Sequence, residues 1–394
     1  MIPRMTTVGT LKNYRYNLNQ SNYTMGKAMN VVTSRRLFSS YAEDPALATR
    51  CFQIRRSYLR AESQYSVNES LRHKYDVAWS ALDNISTDLY SRADDASIAS
   101  IIRSATDSTG PGRLALGQSL CAKAKDIAQI MNGRYGENYV FAGADTLNAP
   151  FTWGPQVNPE YVEGGNFPKY LTPDGGTTND PELASQGLYY RGVPVDSNNP
   201  ADVEKMEYFL NGERKDIDVG LGHKEANGEA VSSTVFDSSL QGIYYLGGYG
   251  TKDGVKVEED DGTTAGVVDQ VPNNVISIVN ELGQILQRCD EKTGDWHSKE
   301  DELRFRALSQ ELESTNSDFR ERWTEMDTQS SFLRDNSELL TTTKDSLKQQ
   351  YMELEDADPA AAISDFMFAR YCYDAALKVG NSILSQSLMD YMNF

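Results

Sequence analysis

Hydrophobic positions fall into long helical stripes toward both ends of this chain and into short, interrupted runs in its middle. Ile54, Tyr58, Ala61, Tyr65 and Asn68 step by four and three. Leu71, Tyr75, Ala78, Leu82, Ile85 and Leu89 continue one phase later. That spacing gathers the side chains on one face of an α-helix. Beyond a Gly110-Pro111-Gly112 break, Leu116, Leu120, Ala124, Ile127 and Met131 predict a second helix. Val275, Ile278, Leu282, Ile285 and Cys289 predict a third.

The most regular feature comes next. Phe305, Leu312, Phe319, Met326, Leu333, Leu340, Leu347 and Leu354 recur every seven residues. Such a repeat over more than 50 residues predicts one helix about 75–80 Å long, packed along partners with left-handed twist. The second seam position is polar: Thr315, Arg322, Gln329, Asn336, Thr343 and Gln350, or Trp323 and Tyr351 if counted one further on. A free-standing zipper needs both positions apolar, so this rod helix is expected to pack on helices of its own chain.

Glycine and proline mark the interruption. Eight of the 13 prolines lie between Pro150 and Pro200, and 19 of the 29 glycines between Gly143 and Gly266. No proline occurs from 46 to 110 or from 273 to 358. A turn-rich insert therefore separates two proline-free arms. Within it, GLYYRGVPV and GIYYLGGYG read as short strands. Each arm also ends in an Asp-Pro pair, Asp44-Pro45 and Asp358-Pro359, 44 residues from the start and 36 from the end. Each reads as an N-cap followed by proline at the first helical position. Outside these caps the tails are amphipathic. Leu11, Leu18, Met25 and Val32 repeat every seven residues beside Met29; Leu377, Leu384 and Tyr391 do the same, flanked by Ile363, Phe366 and Leu388. Neither tail can bury its stripe alone, so the two are expected to pair, to be loose in the monomer and to become ordered in an assembly.

The expected fold is mainly α: an elongated helical bundle and coiled-coil rod built from both ends of the chain, with an inserted β-rich domain. The expected divisions are a terminal helical domain of 1–44 with 359–394, a rod of 45–143 with 272–358, and an outer insert of 144–271. A net charge of −19 opposes nucleic-acid binding and docking on anionic membranes. Hydrophobic residues at 39% support a core, while a mean hydropathy of −0.55 suits extended helices with much exposed surface. No apolar run reaches the roughly 20 residues of a membrane span. The opening MIPRMTTVGTLKNYRYNLNQ has no apolar stretch and no A-x-A site, so a cleaved secretory signal is not expected.

Candidate chemistry changes little. His73, His223 and His297 are isolated, and H-E-x-x-H, G-x-S-x-G and Walker A motifs are absent. Gly247-Gly248-Tyr249-Gly250 is not a dinucleotide fingerprint, and Glu258-Glu259-Asp260-Asp261-Gly262 lacks EF-hand spacing. Cys51, Cys121, Cys289 and Cys372 stand far apart and read as small, buried or half-buried thiols. Tyr189, Tyr190, Tyr244, Tyr245 and Tyr249 read as strand packing, with a glycan-binding face as the alternative. No catalytic residue, metal ligand or cofactor is expected.

Three segments resemble the flagellin family. VVTSRRLFSSYAEDPALATR, residues 31–50, is similar to the stretch after the family's first helix, with Arg35 where glycine is usual and Glu43 for the first aspartate. NGRYGENYVFAGADTLNAPF, residues 132–151, carries Tyr139, Phe141 and Gly143 followed by Pro150 and Phe151. This pattern resembles the branch of the family that joins hook to filament, and ordinary flagellins usually lack it. YDAALKVGNSILSQSLMDYM, residues 373–392, is similar to the family's last helix. The resemblance implies export through the flagellar type III apparatus without a cleaved signal, with the help of an export chaperone. It implies self-assembly into a tubular layer at the hook–filament junction, outside the cell, beside the other junction protein and the first flagellin subunits. It implies no enzyme activity and no membrane insertion. The rival readings are a flagellin filament subunit, a surface-displayed glycan-binding or adhesin module carried by the insert and, more remotely, a metal-dependent hydrolase.

Overall fold

The computed structural model describes residues 7–38, 42, 44–90, 97–107, 112–161, 168–220, 235–258, 264–290 and 293–392. The chain opens with α1 (Thr7–Ser34), α2 (Pro45–Tyr90), α3 (Ile98–Asp107) and α4 (Gly112–Met131). Short strands follow: β1 (Arg134–Tyr135), β2 (Asn138–Tyr139), β3 (Phe151–Pro155), β4 (Tyr170–Leu171), β5 (Thr177–Thr178), β6 (Gln186–Tyr190) and β7 (Val193–Pro194). After α5 (Pro200–Glu207) and a π-turn (Tyr208–Gly212) come β8 (Asp216–Ile217), β9 (Phe236–Asp237), α6 (Gly242–Tyr245), β10 (Thr251–Lys252), β11 (Val255–Glu258), β12 (Thr264–Val268) and β13 (Val271–Pro272). Helices α7 (Val275–Arg288), α8 (Lys299–Glu355) and α9 (Pro359–Met392) complete the chain. The protein is mainly α with an inserted β region. No helix among the described residues is long and apolar enough to cross a membrane.

Two compact units are present: Met1–Gln64 with Leu339–Phe394, and Tyr65–Glu338. Within the second unit, the α2 stripe from Leu71 through Tyr75, Ala78, Leu82 and Ile85 to Leu89 is buried. So are Leu120, Ala124, Ile127 and Met131 of α4 and Ile278, Leu282 and Ile285 of α7. Burial of each large apolar side chain contributes roughly 1.5–3 kcal/mol. Helices α4 and α7 approach closely because Gly117 faces Gly283. A Cβ on Gly283 would stand 2.8 Å from the Gly117 carbonyl oxygen.

The seven-residue seam of α8 is buried from Phe305 through Leu312, Phe319, Met326 and Leu333 to Leu340. Leu347 and Leu354 are half-buried. The polar second seam supplies hydrogen-bonding groups to the core. Thr315 and Asn336 are buried. Tyr75 donates its hydroxyl hydrogen to Gln329 Oε1 at 3.1 Å.

The insert's sheets are small and antiparallel. β3, β6 and β7 form one sheet of three strands, and the remaining strands pair two by two. GLYYRGVPV is a hairpin whose central Arg191 and Gly192 take φ of 51° and 80°, the twist that suits a two-residue turn. GIYYLGGYG departs from its strand expectation. Its first residues form the helical turn α6, with Ile243 and Tyr245 buried. Gly247, Gly248 and Gly250 then take φ of 102°, 98° and 75°, a backbone path that no strand follows.

Candidate assembly interface

Helices α1 and α9 pack against each other in the first unit. Both helices flanking their junctions begin as the Asp-Pro pairs require. Asp44 Oδ1 accepts from the backbone amides of Ala46 (3.1 Å) and Leu47 (2.9 Å), and Asp358 Oδ1 accepts from that of Ala360 (2.9 Å). Each carboxylate thereby satisfies amides that a helix start leaves unpaired. The two junctions lie side by side. Leu37 donates its amide hydrogen to the Glu355 carbonyl (2.8 Å), Ala357 donates to the Arg35 carbonyl (3.0 Å), and the Arg36 guanidinium pairs with Glu355 at 3.1 Å. Arg35 closes α1 in the left-handed region, φ 59°. That conformation favours glycine, so a side chain at this position is costly.

The face of α9 that meets α1 is built from small residues. Ala362 and Ala369 are buried, and Gly380 is buried against Tyr14, whose ring occupies the space a Cβ would need. Leu11, Leu18, Met25 and Val32 of α1 are half-buried, while Met29 is 56% exposed. Most of the larger apolar residues of α9 point elsewhere: Ile363, Met367, Tyr371, Leu377 and Val379 are exposed, and Phe366 is half-buried. The side chains of Leu384, Leu388 and Tyr391 lie outside the described residues. Reading the stripe from large residues alone therefore selects the outer face of α9. The small residues at 362, 369 and 376, also seven apart, carried the signal for the inner one. Small side chains let two backbones approach, which is why they win the contact. A groove of about 470 Å³ remains between the helices, floored by Ser21, Ala28, Ala362 and Ala369 and edged by Phe368 and Cys372.

The motif at residues 139–151 knits distant parts of the second unit together. Val140, Phe141 and Ala142 are buried. The Phe141 carbonyl accepts from the Gly242 amide (2.9 Å) and the Tyr190 hydroxyl (3.2 Å), and Gly143 donates its amide hydrogen to the Leu240 carbonyl (3.0 Å). Tyr139 lies in β2, and its amide donates to the Thr146 carbonyl at 2.8 Å. The Pro150 carbonyl accepts from the Arg191 amide, and Phe151 packs on Tyr190 with ring centroids 5.1 Å apart. Phe151 and Asn132 exchange two hydrogen bonds of 2.9 and 2.8 Å. Arg191 lies over Phe209 and pairs with Glu213 at 2.7 Å, so the edge of the insert is held by both charge and packing.

No family model matches the chain, and no curated protein matches it. Solved structures do. A protein assigned as flagellar hook-associated from Vibrio parahaemolyticus is similar at 13% identity, with 80% of this chain and 100% of that one covered and a TM-score of 0.46. FlgL of Bacillus cereus is similar at 13% identity, over 76% and 99%, with a TM-score of 0.41. FlgL of Xanthomonas campestris is similar at 12% identity, over 75% and 98%, with a TM-score of 0.45.

His73 is exposed on α2 beside Glu69 and Asp76, His297 precedes the start of α8, and His223 lies outside the described residues. The acidic run is described only at Glu258. The four cysteines are free, and burial raises the thiols of Cys51, Cys121 and Cys289 above their ordinary range, which suppresses the reactive thiolate. The five insert tyrosines do not share an exposed face. Tyr190 and Tyr245 are buried, Tyr189 donates to the Pro155 carbonyl, and Tyr244 donates to Glu325. Among the described residues no cluster of three or more histidine, cysteine or carboxylate groups is arranged to hold a metal ion.

Proposed function

We propose that this chain is a structural component of the bacterial flagellum, a hook-associated protein of the kind called hook-associated protein 3, which links hook to filament. The observation that carries this reading is the division of α9 into two faces. Its small residues serve α1, and its large apolar residues remain uncovered in the single chain. An exposed apolar face of this kind is satisfied by association. Paired terminal helices with such a face suit side-by-side assembly into a tubular layer, and the resemblance at residues 31–50, 132–151 and 373–392 supports the flagellar setting.

In this reading Leu11, Leu18, Met25, Met29, Val32, Leu377, Leu384, Leu388 and Tyr391 form the assembly interface. The seam from Phe305 to Leu354 stiffens the rod, and the insert faces outward. The terminal domain comprises 1–44 with 359–394, loose before assembly; the rod comprises 45–143 with 272–358, and the insert 144–271. The neighbours are copies of the same chain, the other junction protein and flagellin. Export through the flagellar apparatus, with a chaperone, delivers the chain outside the cell. The reading needs no catalysis, cofactor or metal.

Deletion of the gene tests it. Bare hooks with flagellin released into the medium are the expected result, and normal filaments on normal hooks would overturn it. A filament subunit is the second reading. The Tyr139-Val140-Phe141-Ala142-Gly143 segment favours the junction role over it, and purified protein separates the two: a filament subunit grows long filaments from seeds, a junction protein only a short layer.

A further inference from the structure

A cavity of about 340 Å³ in the second unit is walled by three elements, none of which carries a residue of the proposed assembly interface. Helix α2 contributes Ser70 and Lys74, the β1–β2 hairpin contributes Tyr135, Asn138 and Tyr139, and the β8–β9 pair contributes Lys215 and Ser238. Lys74 is half-buried, and its ammonium donates one hydrogen bond to the Ser238 carbonyl at 2.7 Å. Neither Lys74 nor Lys215 forms an ion pair among the described residues, in contrast to Lys123, Lys205 and Lys252.

The nearby carboxylate is already committed. Asp237 Oδ1 accepts from the Lys215 amide (3.1 Å), the Ser239 amide (2.9 Å) and the Ser239 hydroxyl (2.6 Å), and Oδ2 lies 3.7 Å from the Arg214 guanidinium. Glu137, exposed on the hairpin turn, also lines the cavity without pairing with either lysine. The two cations, Lys74 half-buried and Lys215 exposed, therefore face one cavity, and of the two only Lys74 carries a desolvation cost.

We propose that this cavity binds a small anionic group, a carboxylate or phosphate, between Lys74 and Lys215. The hairpin's Tyr135 ring and the Asn138 amide nitrogen then hold the remainder of the ligand, while Tyr139 is engaged by Arg134, whose guanidinium lies 4.2 Å over its ring. The volume admits a single acidic sugar or an inorganic oxyanion. Burial, followed by the charge of Lys215, pushes the Lys74 ammonium down to about 8, with Asp237 opposing. A bound anion would favour the charged ammonium and raise the group back toward its ordinary value.

Titration calorimetry of the full-length protein with glucuronate, inorganic phosphate and glucose tests the proposal. Saturable binding of at least one anion is expected, weakening as salt is raised, with no binding of glucose. Glucuronate alone would indicate a sugar acid, and phosphate alone an inorganic or phosphorylated ligand. Lys74→Met should weaken binding at least tenfold and Lys215→Gln at least threefold. The Lys74 titration followed by NMR should move upward when the anion is present. Should Lys74→Met fail to fold, as judged by circular dichroism, the exposed Lys215→Gln variant decides. Absence of saturable binding to both anions, or unchanged affinity in the folded variants, would overturn the proposal.

Discussion

Asn336 of α8 donates a hydrogen bond to Asn68 Oδ1 of α2 at 2.9 Å, and both side chains are buried. Asn68 in turn donates to the Leu333 carbonyl (2.8 Å), and Asn336 to the Val219 carbonyl (2.7 Å). One polar pair thus fixes the register of two long helices whose apolar seam repeats every seven residues. A repeat of that kind could slip by one heptad and still bury leucines, whereas an asparagine pair matches in one register only.

Replacing Asn336 by alanine should therefore cost about 1–3 kcal/mol, because Asn68 Oδ1 and the Val219 carbonyl lose their donor in a dry site. Urea unfolding of Asn336→Ala, Asn68→Ala and the double variant checks it. A double variant less destabilised than the sum of the singles is the expected sign of coupling. The neighbouring Leu333→Asp, which buries an unpaired charge, should cost more, and unchanged thermal unfolding would count against the α8 seam.

Gly283→Ala should push α4 from α7. The new Cβ would meet the backbone oxygen of Gly117 and the backbone nitrogen of Cys121 at 2.8 and 2.9 Å, and backbone cannot swing aside. Overpacking of this kind typically costs about 1–3 kcal/mol, measurable as a lower denaturation midpoint.

Gly380→Leu should separate α1 from α9, because Tyr14 occupies the space the side chain needs. Loss of helix content in circular dichroism together with loss of polymerisation is the expected outcome. Polymerisation at the wild-type level would argue against the α1–α9 pair as the assembly unit.

Arg35→Gly should stabilise the first unit by about 1 kcal/mol, by removing a side chain from a left-handed backbone position. A higher melting temperature reports it.

Asp196 sets a pH dependence. Burial pushes its carboxyl up to about 7; the charge of Glu281 adds to this, while Ser277 and Arg304 oppose it. The folded protein thus keeps a proton that the unfolded chain releases near pH 4. Stability from this group is full below that pH, falls as pH rises to about 7, and stays low above it. Asp196→Asn should flatten that fall, stabilising by on the order of 2–4 kcal/mol at pH 8 and little at pH 4. Denaturation midpoints across that range check both the size and the sign.

The sequence by itself determined the helices, because their signal is local. The seven-residue repeat, the stripe from Leu71 to Leu89 and the Asp-Pro caps each follow from spacing along one chain segment; the stripe and the repeat from Phe305 to Leu340 are buried, and the caps accept helix-start amides. Only the tertiary structure decided which face of α9 meets α1. Hydrophobicity ranks Leu377 above Ala369, but contact between helices also depends on how near two backbones can come, and there the small residues win. The Lys74–Lys215 cavity was equally illegible, since its lysines stand 141 positions apart and only folding brings them to one space. The turn at residues 242–250 failed as a strand for a related reason. Its aromatic residues have strand propensity, yet the glycines and the packing of Ile243 and Tyr245 in the core set its path.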